Sequence, residues 1–188
     1  MPRIATEEIR HFGQHYPKLT VIVTASAGGS DNAMTAAWHS SISLKPPLYG
    51  VAIAPQRYTY RLIKESGEFG INFIPFDKAS LVTSVGSTSG EALDKFERLG
   101  IKKEKPIKTG APLLADAYAA YECRLVDDRT YGDHLWVVGE IVAVHVLEEA
   151  FTAAKVLDLE KIRPLLYLGA NLYVSTDRDS VKLVKGES

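Results

Sequence analysis

Three groups of residues have the types and spacing to do chemistry. Arg57 and Thr59 stand at the start of a helical pattern that runs to about Ser66. A guanidinium, the free N–H groups of a first helical turn and the helix dipole all favour an anion at one point. Thr59 reads as the cap, with Tyr60 and Ile63 on one side of the helix. A capped helix with a solvated arginine fits the same residues. The second group is Asn32 to Trp38. The small side chains of Thr35, Ala36 and Ala37 let a flat ligand lie close to the backbone, whose N–H and C=O groups then read its edge. Trp38 adds a broad apolar face with one donor. The stretch suits a wall that holds a ring, and equally a core segment with a buried indole. The third group is the histidines. His134 sits at a loop–strand junction, and His11 and His15 are four apart on a short N-terminal helix. Two imidazoles with no third ligand nearby make a poor metal site, and solvated side chains are the simpler reading.

Other chemistry is missing from the pattern. Gly28-Gly29 is followed by neither a G-x-G-x-x-G nor a Walker pattern. Gly86 to Gly90 is a loop with Thr88 at its centre, so it is not a hydrolase elbow. Cys123 is the only cysteine, which excludes an intrachain disulfide and a cysteine zinc site; it reads as a small buried hydrophobe.

The elements that must position these residues are mostly strands. A short amphipathic helix is expected over about 6–15, capped by Thr6, with Ile9 and Phe12 on its inner face. Leu19 to Ser26 is a β-branched strand, Ala27 to Asn32 a turn, and Ala33 to Trp38 the returning strand. Ser40 to Leu44 is a short strand stopped by Pro46-Pro47, and Leu48 to Ala54 and Phe69 to Ile74 are two more. Phe76 to Val85 is helical. Glu91 to Leu99 is read as a helix with Phe96 and Leu99 inward and Lys95 outward. Ala117 to Val126 and His134 to Leu147 are long strands joined by the loop Asp127 to Asp133. Val156 to Ile162 is a polar connection, and the tail from about 175 is polar. Strands joined by hairpins, with only short helices, argue for a mainly β fold, an antiparallel barrel rather than a doubly wound sheet.

Composition bounds the rest. A chain of 188 residues fits a single domain, 1–188, with a substantial core. A net charge of −1 gives no electrostatic case for nucleic acid or an anionic membrane as partner. No apolar run is long enough to span a bilayer, and no apolar signal core opens the chain, so a cytoplasmic protein is expected.

In order and spacing, several motifs resemble the flavin reductase-like family, which binds FMN in a split, Greek-key antiparallel β-barrel. They are Asn32 to Trp38, Ser41-x-x-x-x-Pro46-Pro47, Arg57-x-Thr59, Glu65 to Asn72, Asp94-Lys95-Phe96, Gly132-Asp133-His134 and Leu165 to Gly169. The resemblance covers roughly residues 15 to 175, and the Asp-Lys-Phe and Gly-Asp-His motifs are similar to the flavoredoxin branch. It implies a homodimer with FMN near the subunit boundary. It also implies roles. Asn32 opens the flavin-binding segment, Thr35, Ala36, Ala37 and Trp38 line the ring, and Ser40 and Ser41 lie near the ribityl chain. Arg57 and Thr59 grip the phosphate, Lys95 reaches it or its neighbourhood, and His134 stands beside the flavin. Tyr167 stands where relatives carry an aromatic residue, some of them Phe. No side chain need act as general acid or base, because the flavin carries the chemistry.

Three functions follow as expectations. The first is an oxidoreductase that reduces FMN with NAD(P)H as co-substrate and passes electrons to free flavin or a partner protein. The second is a flavoredoxin-like electron carrier without direct NAD(P)H use. The third is a split-barrel binding module for haem or another ligand.

Overall fold

Alternation carries the architecture. Within one strand, Val21, Val23 and Ala25 are fully buried in one apolar cluster, while Ile22 is fully buried in another. A strand buried on both faces needs a layer on either side of it. The computed structural model, which describes residues 1–9 and 12–184, supplies both.

The strands are β1 (Lys18–Leu19), β2 (Val21–Ala27), β3 (Ser30–Ala36), β4 (His39–Leu44), β5 (Pro47–Ile53), β6 (Glu68–Phe73), β7 (Lys103–Glu104), β8 (Leu113–Leu114), β9 (Ala119–Tyr131), β10 (His134–Val146), β11 (Leu166–Gly169) and β12 (Leu172–Val174). Seven of them form one antiparallel sheet in the order β3-β2-β6-β9-β10-β5-β4. β1, β11 and β12 form a second small sheet, and β7 pairs with β8. Three helices lie between the strands: α1 (Tyr58–Ser66), α2 (Ala79–Ser87) and α3 (Lys95–Arg98).

The seven-stranded sheet cannot be flat. Its two edge strands, β3 and β4, are consecutive in the chain and separated only by Ala37 and Trp38. Three Cα steps reach at most about 11 Å, whereas the edges of seven flat strands stand about 29 Å apart at ~4.8 Å spacing. The sheet therefore rolls until its edges meet. The Ala52 N–H donates to the Trp38 carbonyl at 2.8 Å, which fixes the corner between β3 and β4 against β5.

The rolled interior is filled by Val21, Val23, Tyr49, Val51, Ile53, Phe69, Ile71, Phe73, Cys123 and Val137, with Leu62 and Ile63 of α1 joining them. The rings of Tyr49, Phe73 and Tyr121 meet edge-on at centroid distances of 4.9–6.2 Å. Outside β2 and β3, a second cluster of Ile22, Ala33, Ile74, Val82, Val85, Phe96 and Leu114 packs α2 and α3 onto the barrel. Gly67 ends α1 in the left-handed region (φ 71°) and donates to the Ile63 carbonyl at 2.8 Å.

Several expectations need correction. No helix covers 6–15 among the described residues; only a 3-10 turn, Phe12–Gln14, forms. Ile9 and Phe12 are 79% and 58% exposed, so the amphipathic pattern has no core to face. His11 lies outside the described residues. β9 continues through Asp127–Thr130 to Tyr131, and the loop shrinks to Gly132-Asp133. α3 is a single turn capped by Asp94, whose carboxylate accepts from the N–H groups of Phe96 and Glu97. Lys95, read as outward, points inward and is 3% exposed. Thr59 does not cap α1. Arg57 holds that position without a side-chain bond, and Thr59 is buried.

Candidate functional site

The corner between β3 and β4 opens a cleft. Its floor is Met34, Thr35, Ala36 and Ala37, with Ala52 and Ala54 beside them. Its walls are Trp38 and His134 at one end, Val85 and Gly86 of α2 on one side, and Arg57 at the other end. Small floor residues follow from the fold. α2 lies so near β3 that a Cβ at Gly86 would fall 3.4 Å from the Thr35 side chain. The Thr35 hydroxyl donates to the Val82 carbonyl at 2.7 Å and ties the two elements together.

Trp38 is 42% exposed, which excludes the buried-core reading of the indole. Its ring meets His134 at 5.1 Å and Phe12 at 6.2 Å between centroids. His134 is oriented by Asp133, whose Oδ1 lies 2.7 Å from Nδ1. The histidine's hydrogen bond and charge hold the Asp133 carboxyl below its usual range. An Nδ1–H donated to Asp133 leaves Nε2 as the ring nitrogen not engaged by that carboxylate.

At the Arg57 end a second cavity shares Met34, Arg57 and Gly86 with the first. Asn32, Tyr58, Thr59 and the run Gly86 to Gly90 line it. The N–H groups of Tyr58 and Thr59 open α1 and have no intrahelical acceptor. Arg57 is exposed and meets no carboxylate among the described residues, whereas the neighbouring Arg61 pairs with Glu91 at 2.6 Å. Lys95 adds charge from beneath. Its ammonium donates to the carbonyls of Ala33 (2.8 Å) and Val85 (2.9 Å), joining α3, β3 and the end of α2. Burial, and then the charge of Arg57, pull its pKa down from 10.5 to about 8. Two cations are thus crowded at one end of the cleft, and the carboxylate that lines it, Glu91, is paired with Arg61.

Asn32 is 2% exposed. Its amide nitrogen donates to the Thr59 hydroxyl at 2.8 Å, while its Oδ1 is buried with no partner. Only a glycine fits opposite, since a Cβ at Gly90 would fall 1.9 Å from that oxygen.

The structure brings Asn32, Thr35, Ala36, Ala37, Trp38, Arg57, Thr59 and His134 to one continuous cleft. Tyr167 lies behind it, in a neighbouring cavity that shares Thr35, Ala37 and Gly86, with its ring 5.3 Å from Tyr173. Two placements depart from expectation. Ser40 and Ser41 are exposed on β4 and line none of these cavities; the Ser40 hydroxyl donates to the Ser41 carbonyl. The two bonds that hold Lys95 to the backbone point it at β3 and α2 rather than into open space. The run Gly86 to Gly90, read only as a loop, is a wall of the site. Its density of glycine and hydroxyl residues was the available signal.

A seven-stranded antiparallel sheet closed at one corner, with its cleft there, is the split barrel of the flavin reductase-like proteins, and the chain belongs to that family. The profile of the flavin reductase like domain matches residues 13–174. Members of the family are oxidoreductases. The crystal structure of an FMN-binding protein from Thermus thermophilus with bound 1-cyclohex-2-enone superposes with a TM-score of 0.86 at 30% identity, covering 97% of this chain and 99% of that one. The flavoredoxin of Desulfovibrio vulgaris (Miyazaki F) gives 0.85 at 26% identity, covering 99% and 98%. An uncharacterized protein of Aeropyrum pernix is 40% identical over 82% of this chain, which spans 58% of that relative's length.

Proposed function

We propose that the protein is an FMN-binding oxidoreductase that takes electrons from NAD(P)H and passes them to free flavin or a partner protein. The observation that carries this reading is the cleft's polarity. One end crowds Arg57, Lys95 and the first N–H groups of α1, its lining carboxylate Glu91 being taken up by Arg61, and the other offers a small-residue floor flanked by Trp38 and His134. A phosphate monoester suits the first end and a flat, hydrogen-bonding ring the second. The unpartnered Asn32 Oδ1 fits the same reading, since a buried acceptor without a donor is costly.

When bound, FMN accepts a hydride and returns electrons singly or in pairs. The chain's own residues bind, orient and shield. Arg57 and the N–H groups of Tyr58 and Thr59 fix the phosphate. Thr35, Ala36 and Ala37 bring the backbone to the ring edge, and Trp38 limits water. His134, set by Asp133, presents one ring nitrogen at that end. The family resemblance adds a homodimer with the cofactor near the subunit boundary.

A second reading, an electron carrier that uses no nicotinamide, is supported by two flavoredoxin structures that match nearly the whole chain, at 26% and 27% identity. Purified protein reconstituted with FMN decides between them. Anaerobic bleaching of the flavin by NADH or NADPH supports the reductase. Bleaching by dithionite alone supports the carrier. Failure to retain any flavin overturns both.

A further inference from the structure

Beside Trp38 lies a further cavity of about 470 Å³. Four aromatic side chains line it: Phe12, Tyr16, Trp38 and Trp136. Trp136 lies flat against β5 because residue 50 is glycine; a Cβ there would fall 2.4 Å from the indole. His39 closes the base. Its Nε2 meets the Leu19 carbonyl at 2.9 Å and its Nδ1 meets the Tyr49 hydroxyl at 2.6 Å. Nε2 must therefore donate and Nδ1 accept, which is the neutral ring, and burial holds it in that form.

Among the described residues, one charged side chain faces this apolar space. Lys18 is only 7% exposed, and no carboxylate or carbonyl partners its ammonium among the described residues. The ammonium rests 4.6 Å from the centroid of the Tyr16 ring. A Cβ at Gly13 would lie 3.6 Å from both that nitrogen and the Trp38 ring, so the cation and the indole border the same gap. Among the described residues, the cavity lining contains no aspartate or glutamate. An ammonium set against an aromatic ring regains from it only part of what a carboxylate partner would give.

We propose that this cavity is a binding site for a planar aromatic carboxylate, whose ring stacks among Tyr16, Trp38 and Trp136 and whose carboxylate accepts from the Lys18 ammonium. A single lysine, with no helix start or converging N–H groups, matches a monoanion rather than a phosphate. The cavity shares Ala37 and Trp38 with the cleft, so its occupant and the cleft's would stand on either side of one indole. The inference does not rest on the flavin reading, because none of its residues other than these two belongs to that cleft.

Benzoate and its neutral isostere benzamide provide the test. Each is titrated into the purified full-length protein by calorimetry and by tryptophan fluorescence. Benzoate is expected to bind at least tenfold more tightly than benzamide. Lys18→Met is expected to erase that preference without changing benzamide affinity, and Lys18→Gln serves should the methionine variant fail to fold. Trp136→Leu is expected to weaken both ligands by a similar factor. Equal affinity of acid and amide, absence of saturable binding, a preference that survives loss of Lys18, or indifference to Trp136→Leu would each overturn the proposal. Benzoate preference in protein that takes up no FMN would leave this site standing while the flavin reading falls. A flavin-loaded protein without the preference would do the reverse.

Discussion

Arg57 and Lys95 show how two cations near one point can act differently. Arg57 is exposed and meets no carboxylate among the described residues, so its guanidinium is available to a ligand. Arg57→Ala is expected to weaken FMN by about 10- to 100-fold, the worth of a charge-assisted bond of roughly 1.5–3 kcal/mol. Riboflavin lacks the phosphate and should be nearly unaffected. Equal losses for both flavins in equilibrium titration would remove the phosphate role. Lys95 is buried, and its effect appears in stability. Its folded pKa of about 8 lies below the ordinary 10.5, so between these values the unfolded chain holds the proton more firmly. The flavin-free protein should therefore gain stability as pH rises from about 8 toward the tyrosine range near 10. Lys95→Met should flatten that rise in denaturant titrations at pH 8 and 9.5. Motif spacing named Arg57 and Trp38 as site residues, and both line one cleft. The residues themselves could not show which way Lys95 faces, because a one-turn helix has no periodicity from which to read an inner face.

Among the elements, the long β9–β10 ribbon carries a clamp that the sequence does not announce. Glu122 is fully buried, and its two oxygens accept from the N–H groups of Ile107, Lys108 and Thr109, the Thr109 hydroxyl and His145, at 2.7–3.0 Å. Burial pushes its pKa up, but these donors outweigh burial and hold it at about 2, below the ordinary 4.5. The stability it contributes is thus complete above about pH 4.5 and lost as pH falls toward 2. Glu122→Gln places an amide donor among donors and should cost about 3 kcal/mol, lowering the melting midpoint by roughly 6–12 °C. A calorimetric midpoint within a degree of the parent would contradict the clamp. Strand identities were legible from β-branched runs and turn residues, but strand ends were not. Asp127 to Thr130 are polar and read as loop. They extend β9 because pairing with β10 continues through them, and the Tyr60 hydroxyl and Lys64 of α1 hold the Asp128 carboxylate.

For the whole molecule, the family resemblance and the surface point the same way. Apolar side chains remain exposed along β4 (Ile42, Leu44) and the end of β10 (Val144, Val146). Leu44 is 88% exposed, an unusual position for a leucine on a strand. Light scattering is expected to give a mass near twice that of the chain, and Leu44→Lys to shift it toward the monomer. A strict monomer that carries a full complement of FMN would contradict a boundary cofactor. The barrel was legible from hairpin-linked strands. The pairing of Lys18–Leu19 with Leu166–Gly169 was not, because a two-residue strand carries no pattern and its partner lies almost 150 residues away.

The two-residue bridge between β3 and β4 ties ligand occupancy to the integrity of the hoop. Whatever leans on Ala37 and Trp38 also fastens the point where the rolled sheet would first come apart. Amide protons along both margins should therefore exchange with deuterium in concert. Filling the cleft should slow those on β4 as well, including Ile42 to Leu44, which no occupant of the cleft would touch.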